Sequence, residues 1–582
     1  MKKVYLLLFT CSTALSIGLF TEEATAFQAI AKPTEMIAKA EGDKKSDKTA
    51  ETPKAQGKVI RNVKAGHYLS SQFAQRNHDW DNANLFINQL IHAGITPNNI
   101  VQRAMVIAMG SGNPDEAIAI AESIKAKTPD NLNTIAQIFI LVDAIKRDDY
   151  KEASILLEKI PNDGTMRFVG PFIKGWLSAA QGQTNIKGLK HSTMQLYHAI
   201  LISDFLGNHS DIEKMIDKAL TVEDIRLDER GRIADLYGHV GLKKKAITIY
   251  QDILKQHPEN NRVKTQLQAL EQGTQKPLFK KVSSARYGMA KAFHDIASIL
   301  NNEQNEESAR VFAHIALHIE PEMTKTKMLL AGISVNHKHY KNAIAVYQSI
   351  PTSAKEYVQA QHEIVDIYET TERFDDALAL LKNLPNADKD ADTLIKIGNL
   401  YRNQEKYELA LKSYDNAAKI FGETIPDEYW HLHYVRGIAY EQAGNWERAE
   451  QELKNALTMQ PDHPYILNYL GYAWADKGIN LQQSLEMIQH AVNLQPSDGY
   501  ITDSLGWVMY RTKNYKRAVP VLERAVELLP YDPTINDHLG DAYWKVGRLL
   551  EAKFQWKRAK NHSDDDTQIK ELETKLTSGI KK

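Results

Sequence analysis

The 582-residue sequence has few of the features that define several large protein classes. Its single cysteine, Cys11, excludes an intramolecular disulfide framework. Lysine and arginine total 72 against 73 aspartate and glutamate residues, so no overall positive field exists to hold nucleic acid. The composition, 43% hydrophobic and 25% charged, excludes a polytopic membrane protein and is typical of a globular chain of several domains.

Catalytic sequence motifs are also missing. The chain has no G-x-x-x-x-G-K-[ST], G-x-G-x-x-G, G-x-S-x-G or H-E-x-x-H pattern. His314 and His318 have the spacing of a helical metal pair, but without a matching carboxylate motif we interpret them as surface histidines. Asp537 and Asp541 share a helix face from which His538 points about 100° away, so a joint metal site is disfavoured there. We therefore predict no catalytic residue, no cofactor, no metal site and no enzymatic activity.

The first 26 residues have the order of an export signal. Met1-Lys2-Lys3 is basic, residues 4–20 are mostly apolar, and the small residues that end at Ala26 form a pattern that a signal peptidase cleaves. An uncleaved anchor is the alternative, whereas lipidation of Cys11 fits poorly because Thr10 stands where lipoprotein signals have Gly, Ala or Ser. Residues 27–66, rich in Lys, Ala, Glu, Thr and Asp, are predicted to be a flexible tether.

From residue 67 onward the sequence repeats. Gly437, Gly471, Gly506 and Gly540 are spaced by 34, 35 and 34 residues. Other small residues and prolines follow in the same phase: Ala449, Ser484, Ala518 and Ala552, then Pro461, Pro496 and Pro530. Apolar residues within a unit recur at helical spacing, and a proline ends each second helix. Two helices of a hairpin are expected to approach closely at the small residues, and each unit is expected to contact only its neighbours.

The strength of the repeat signal divides the chain. Residues 67–258 are interpreted as degenerate repeats, residues 259–292 as a joint or irregular helical segment, and residues 293–563 as the main array. Residues 564–582 are predicted to be a capping helix and tail, with the helix itself over 567–576.

This period resembles the tetratricopeptide repeat. The unit that begins near Pro464 has the residues of that consensus in order, with one extra residue in the inter-helix turn and Ser in place of the first Ala: Leu467, Leu470, Gly471, Trp474, Ser484, Ile488, Ala491 and Pro496. The resemblance implies an all-α fold, a superhelical solenoid of helix-turn-helix units.

The C-terminal block resembles a narrower group. Residues 468–472, 498–507 and 534–544 are similar to those of exported tetratricopeptide-repeat proteins of Gram-negative bacteria, especially alphaproteobacteria. Similar blocks occur in periplasmic and outer-membrane adaptor lipoproteins that bring cell-wall hydrolases to a carboxyl-terminal processing protease. The resemblance implies a non-catalytic scaffold or adaptor of the bacterial cell envelope, located in the periplasm. Membrane contact would be peripheral or through an uncleaved anchor.

Two other functions were weighed against the adaptor. Tetratricopeptide arrays also serve as subunits of envelope transport or polysaccharide-export complexes, and no residue in this sequence separates that function from the adaptor. An enzyme of the glycosyltransferase-like kind that carries such repeats is disfavoured, because no catalytic constellation was found.

The resemblance also implies which residues bind the partner. Tetratricopeptide arrays hold extended peptides or other proteins in a groove lined by the first helix of each unit. The residues expected there are Tyr434, Tyr465, Asn468, Tyr472, Tyr500, Asp503, Trp507, Tyr510, Asp537, Asp541 and Trp544. Tyr500, Thr534 and Asp537 stand where a carboxylate-binding array has basic residues, so a basic or neutral segment is expected. The alternative is that the aromatic rings pack between adjacent units.

Overall fold

The computed structural model describes residues 56–95, 97–127, 132–208, 212–220, 227–257, 260–273 and 282–580. These residues form 29 α-helices and no strand, which confirms the predicted all-α helical-repeat fold. The predicted signal at 1–26 and residues 27–55 of the predicted tether lie outside the described ranges. None of the helices that were described is both long enough and apolar enough to cross a membrane.

The chain divides into two compact units, one that ends at Ile367 and one that spans Tyr368–Lys582. The helices of the N-terminal unit are α1 (Gln56–Arg76), α2 (Trp80–His92), α3 (Asn98–Gly110), α4 (Pro114–Lys127), α5 (Thr134–Lys146), α6 (Tyr150–Lys159), α7 (Gly164–Ala180), α8 (Thr193–Phe205), α9 (Ile212–Ala219), α10 (Leu227–His239), α11 (Lys243–Gln256), α12 (Asn261–Glu271), α13 (Ala285–Asn302), α14 (Glu306–Ile319), α15 (Thr324–Asn336) and α16 (Tyr340–Gln348). Helix α17 (Tyr357–Thr370) contains the division.

The helices of the C-terminal unit are α18 (Phe374–Lys382), α19 (Ala391–Asn403), α20 (Tyr407–Phe421), α21 (Trp430–Gln442), α22 (Trp446–Met459), α23 (Pro464–Lys477), α24 (Leu481–Leu494), α25 (Gly499–Arg511), α26 (Tyr515–Leu528), α27 (Pro533–Lys545), α28 (Leu549–His562) and α29 (Asp566–Ser578). Short 3₁₀ turns at Ala387–Lys389 and Asp427–Tyr429 precede α19 and α21.

One of the predicted segment boundaries, the end of the tether, differs from the helices. Helix α1 begins at Gln56, so the last residues of the predicted tether are helical. The predicted joint at 259–292 contains all of α12 and the start of α13, because both stretches have polar N-caps followed by apolar residues at helical spacing. The predicted capping helix at 567–576 lies within α29, whose Leu572 is fully buried against the last hairpin.

Each hairpin of the C-terminal unit closes on a glycine. A Cβ added at Gly437 would lie 2.7 Å from Leu453, and one added at Gly540 would lie 2.5 Å from the Trp556 ring. The expectation that both helices are small at the crossing is therefore wrong in one respect: the glycine accommodates a large side chain of the second helix. Ser484, which replaces the usual Ala, is fully buried and its hydroxyl donates to the Gly471 carbonyl at 2.5 Å.

In the N-terminal unit, helices that are far apart in sequence contact one another. Helix α13 contacts α7 and α8, and α14 contacts α3, α4 and α5. The fully buried Trp176 of α7 covers Gly288 of α13, where an added Cβ would lie 2.5 Å from the ring. Arg310 of α14 donates from Nε to the Gly110 carbonyl of α3 at 2.6 Å. The expectation of neighbour-only contacts is therefore wrong for this unit, because its chain folds back and buries the hairpin α13–α14 against earlier helices.

The contact between Gly288 and Trp176 predicts how an added methyl group changes the stability of the N-terminal unit. Gly288→Ala should lower the free energy of unfolding of the N-terminal unit by about 1–3 kcal/mol, since the methyl overpacks the α7–α13 contact. The matched control is Gly332→Ala in α15, where nothing lies within 4 Å of an added Cβ. That variant should be neutral or more stable by up to about 1 kcal/mol, because alanine is the better helix former. Urea unfolding followed by circular dichroism makes the comparison, and equal effects of the two variants would contradict this packing.

Candidate partner-binding surface

The predicted partner-binding residues lie on the first helices of four consecutive hairpins. Helix α23 contacts α25, and α25 contacts α27, so the first helices form a continuous row in this part of the C-terminal unit. We call the eleven predicted residues the first-helix face: Tyr434 on α21; Tyr465, Asn468 and Tyr472 on α23; Tyr500, Asp503, Trp507 and Tyr510 on α25; Asp537, Asp541 and Trp544 on α27. Three of them, Asn468, Asp503 and Asp541, are buried, and the others are half-buried.

Three aromatic rings stack across two repeats at the centre of this face. The Trp507 ring stacks on His538 at a centroid distance of 4.0 Å and on Tyr510 at 4.9 Å, with interplanar angles of 16° and 8°. The Trp507 Nε1–H is buried and has no acceptor in the described part of the chain. An indole N–H can only donate, so this buried group costs free energy until an acceptor is supplied.

Asp503 and His538 form an ion pair between α25 and α27. The Asp503 Oδ2 atom lies 2.8 Å from His538 Nδ1, and both side chains are buried. Burial by itself lowers the pKa of His538, but Asp503, with smaller contributions from Asp537 and Asp541, raises the pKa above its usual value. His538 is therefore paired with Asp503 on the neighbouring first helix.

The capping helix places one positive charge beside the two acids of the last repeat. Lys575 of α29 lies 2.6 Å from Asp537 Oδ1 and 2.8 Å from Asp541 Oδ1. Burial and the adjacent Asp541 raise the pKa of Asp537 to about 6, against the opposing effect of Lys575. The pKa of Lys575 is raised: burial lowers it, but the two carboxylates outweigh burial. These acids are thus engaged within the chain.

Trp544 is covered from within the same unit. Its ring lies 5.3 Å from that of Trp556 on α28, and a Cβ added at Gly579 would overlap the indole. Gly579 has φ +69°, a left-handed conformation that suits glycine and that brings the end of the chain onto this ring. For Trp544 the packing alternative describes its contacts best.

Most of the remaining face residues are packed or hydrogen-bonded within the same unit. Tyr434 packs edge-on against Tyr469 at 6.0 Å, and burial raises its pKa. The Tyr465 hydroxyl donates to Asp498 at 3.4 Å. Burial also raises the pKa of Tyr472. Asn468 is buried, and its Oδ1 has no donor among the described residues.

Three features of the structure were missed by the sequence analysis. The first two are the ion pairs that His538 and Lys575 form with acids of the first-helix face. A single-repeat consensus does not contain these pairs, because each joins two different helices. Leu550 and Phe554 of α28 are 83% and 65% exposed and form a separate apolar surface. They lie four residues apart on one helix, and this spacing could be read from the sequence. The same spacing is typical of buried helix faces, so it did not predict their exposure.

The two histidines interpreted as surface residues are not on the surface. His318 is buried within 3.6 Å of Asp143, and burial lowers the pKa of His314 to about 3. The interpretation is wrong because α14 lies against α3, α4 and α5, a contact that helical periodicity does not reveal.

Comparison with known proteins supports the repeat assignment over part of the chain. Residues 395–452 and 434–480 match the family model of the tetratricopeptide repeat, and both stretches lie within the all-α array. No curated protein matches the chain in sequence.

Several solved structures are similar in fold. The Cut9–Hcn1 hetero-tetramer of the APC/C is 12% identical, with 90% of this chain and 98% of that chain covered and a TM-score of 0.39. MamA from Desulfovibrio magneticus RS-1 is 19% identical, with coverage of 32% and 97% and a TM-score of 0.26. A thermophilic tetratricopeptide-repeat protein of Thermus thermophilus is 20% identical, with coverage of 33% and 98% and a TM-score of 0.28.

The raised pKa of Asp537 predicts a pH-dependent variant. The folded state holds this proton more tightly than the unfolded chain, so the carboxyl favours folding as the pH falls from about 6 toward its ordinary 3.8. Asp537→Asn removes that contribution. Relative to the parent, its free energy of unfolding should be more favourable at about pH 7.5 than at about pH 4.5, by on the order of 1–2 kcal/mol.

Denaturant unfolding at the two pH values measures this difference. Asp564→Asn, which removes an exposed carboxylate just before α29, is the matched control. A pH-independent effect of Asp537→Asn would contradict the assignment.

Proposed function

We propose that this chain is a non-catalytic adaptor of the bacterial cell envelope that binds a segment of another protein along the first-helix face. The observation that carries the proposal is that two buried polar atoms of this face, on adjacent first helices, lack a hydrogen-bonding partner within the described residues. A ligand reaches them when the side chains that cover them turn aside. The Trp507 Nε1–H has no acceptor and the Asn468 Oδ1 has no donor within the described residues. A peptide backbone offers a carbonyl acceptor and an N–H donor at every residue that is not proline, so an extended segment suits both groups.

The charge pattern favours a neutral segment over a basic one. Asp503 is paired with His538, and Asp537 and Asp541 are paired with Lys575. A basic ligand would have to compete with these internal cations, whereas backbone and aromatic contacts require no such exchange. The large rings of Tyr472, Trp507 and Tyr510 then provide contact area at a small cost in side-chain entropy.

The envelope location is supported by the sequence. A basic start, an apolar run and a small-residue ending at Ala26 make an export signal, and residues 468–544 resemble exported adaptor proteins. In this proposal the partner is an envelope protein, and its identity decides between an adaptor for cell-wall enzymes and a subunit of an export complex.

Export predicts a defined mature end. Mass spectrometry of the protein purified from the native host's envelope should find Phe27 as the first residue. Ala26→Tyr should block processing, because the peptidase accepts only small residues at that position. An N-terminus at Met1 in the parent, with the protein in the cytoplasm, would contradict export without affecting the binding proposal.

Partner binding is tested with single substitutions on the face. A photo-crosslinking amino acid at Tyr472 should capture a partner in the native host, whereas the same group at Phe554 should not capture that protein. Against the captured partner, Trp507→Ala should weaken binding by roughly 30-fold, the usual effect of removing a central aromatic anchor. Trp507→Phe should weaken it by about 3–10-fold, because it keeps most of the ring and loses the N–H.

Phe554→Ala is the matched control for these variants, since it truncates an exposed aromatic residue of the same unit. Each variant is first required to show the parent's thermal unfolding curve. Parent-like binding by the Trp507 variants, or capture of the same protein from both crosslinking positions, would show that these aromatic residues are packing residues.

A further inference from the structure

Two histidines and one glutamate meet in the N-terminal unit from three separate segments. His78 lies in the turn between α1 and α2, Glu306 is the first residue of α14, and His337 directly follows α15. The His337 Nε2 atom contacts Glu306 Oε2, and one potential ligand atom from each residue lies within 4.8 Å of the others. All three side chains are half-buried.

The arrangement of the two imidazoles is not explained by hydrogen bonding. The rings of His78 and His337 are stacked at a centroid distance of 3.5 Å with an interplanar angle of 13°. No residue in the described ranges forms a side-chain hydrogen bond with His78, although its ring is held against His337. In either neutral tautomer, one ring nitrogen of His78 carries a lone pair that can bind a metal ion.

We propose that His78, Glu306 and His337 form a binding site for a divalent transition-metal ion, with Zn²⁺ the ion that suits it best. Two imidazole nitrogens and one carboxylate oxygen are a common ligand set for zinc, in which a water molecule or other group fills the fourth position. Imidazole ligands disfavour Mg²⁺ and Ca²⁺, which prefer all-oxygen sites. Because the in-plane lone pairs of two stacked rings do not converge on one ion, binding turns the His78 ring out of the stack. The ion then lies between His337 and Glu306, and any proton on a coordinating nitrogen is released to solvent.

Neighbouring residues already orient the ligands. Asn336 donates from Nδ2 to Glu306 Oε1 at 3.2 Å, which leaves Oε2 directed at His337. His339 Nε2 lies 3.3 Å from the Asn77 carbonyl, and Asn342 donates to Asp81 at 3.0 Å, so the α1–α2 turn is held beside the turn that follows α15. Such contacts around a site commonly raise its metal affinity by fixing the ligand geometry.

A polar cavity adjoins the three ligands. It has a volume of about 650 Å³ and is lined by them together with Asn301, Asn302, Gln304, Asn305, Glu307 and Asn336. Its amide and carboxylate groups suit water molecules that complete the coordination. The bound ion would join the first hairpin of the unit to α14 and α15 and would stabilise this fold-back of the chain. This inference is independent of the proposed function, which concerns the C-terminal unit.

The test uses the mature chain after removal of metal with a chelator. Equilibrium dialysis should show one tightly bound Zn²⁺ ion per chain, and Co²⁺ should give the strong visible absorption of a four-coordinate site. Zn²⁺ should also raise the melting temperature, because the folded state binds it and the unfolded chain does not. Mg²⁺ and Ca²⁺ should do neither.

Two conservative ligand variants make the test specific. His78→Asn suits the left-handed backbone at φ +57°, and Glu306→Gln keeps the shape of the side chain. Each should weaken Zn²⁺ binding by at least about tenfold and abolish the Co²⁺ absorption, while the metal-free melting temperature stays near that of the parent.

The matched control is His191→Ala, an exposed histidine of the same unit, which should bind like the parent. The proposal is overturned if the parent binds no tight Zn²⁺ ion. It is equally overturned if the ligand variants keep the Co²⁺ absorption or the Zn²⁺-induced rise in melting temperature.

Discussion

The close approach of two helices at a glycine is the constraint on which the C-terminal unit depends. Gly398, Gly437, Gly471, Gly506 and Gly540 each lie beneath a large side chain of the paired helix, which is respectively Tyr414, Leu453, Ile488, Leu522 and Trp556. A methyl group at any of these positions would overlap that side chain. Because every hairpin closes in the same way, consecutive first helices come into register, and the first-helix face follows from that register.

In the N-terminal unit a glycine also lies against a large side chain of another helix, but these two helices are far apart in sequence. Gly288 and Trp176 belong to helices that are not sequence neighbours, and their contact fixes α13 against α7. Buried polar groups accompany it: Trp176 donates to His198, and His198 lies 3.2 Å from Asp295. The hairpin α13–α14 therefore contacts other helices of its own chain where an open array would leave a surface for a partner. This explains why the candidate partner surface lies in the C-terminal unit.

The acidic residues of the first-helix face are paired with basic residues of the next repeat or of the capping helix. Asp503 pairs with the next repeat through His538, and Asp537 and Asp541 pair with Lys575 of the capping helix. Acidic residues on a first helix predict a basic ligand only when their counter-charges come from outside the chain. Here the counter-charges come from positions about one repeat further along, which leaves aromatic rings and two unpaired polar atoms as the groups that distinguish the surface.

The sequence by itself determined the repeat period, the helix hairpins and the positions of Tyr472, Asp503 and Trp507 on one row, because these features depend on spacing within about 35 residues. It also predicted that His538 points away from Asp537, since both lie on one helix. Only the tertiary structure decided the partners of His318, Gly288 and Lys575, and the meeting of His78, Glu306 and His337. Most of those contacts join helices that are remote in sequence, and the contacts of Lys575 depend on how the capping helix packs against the last hairpin. Helical periodicity shows which face of a helix is apolar, but it does not show which distant helix that face will contact.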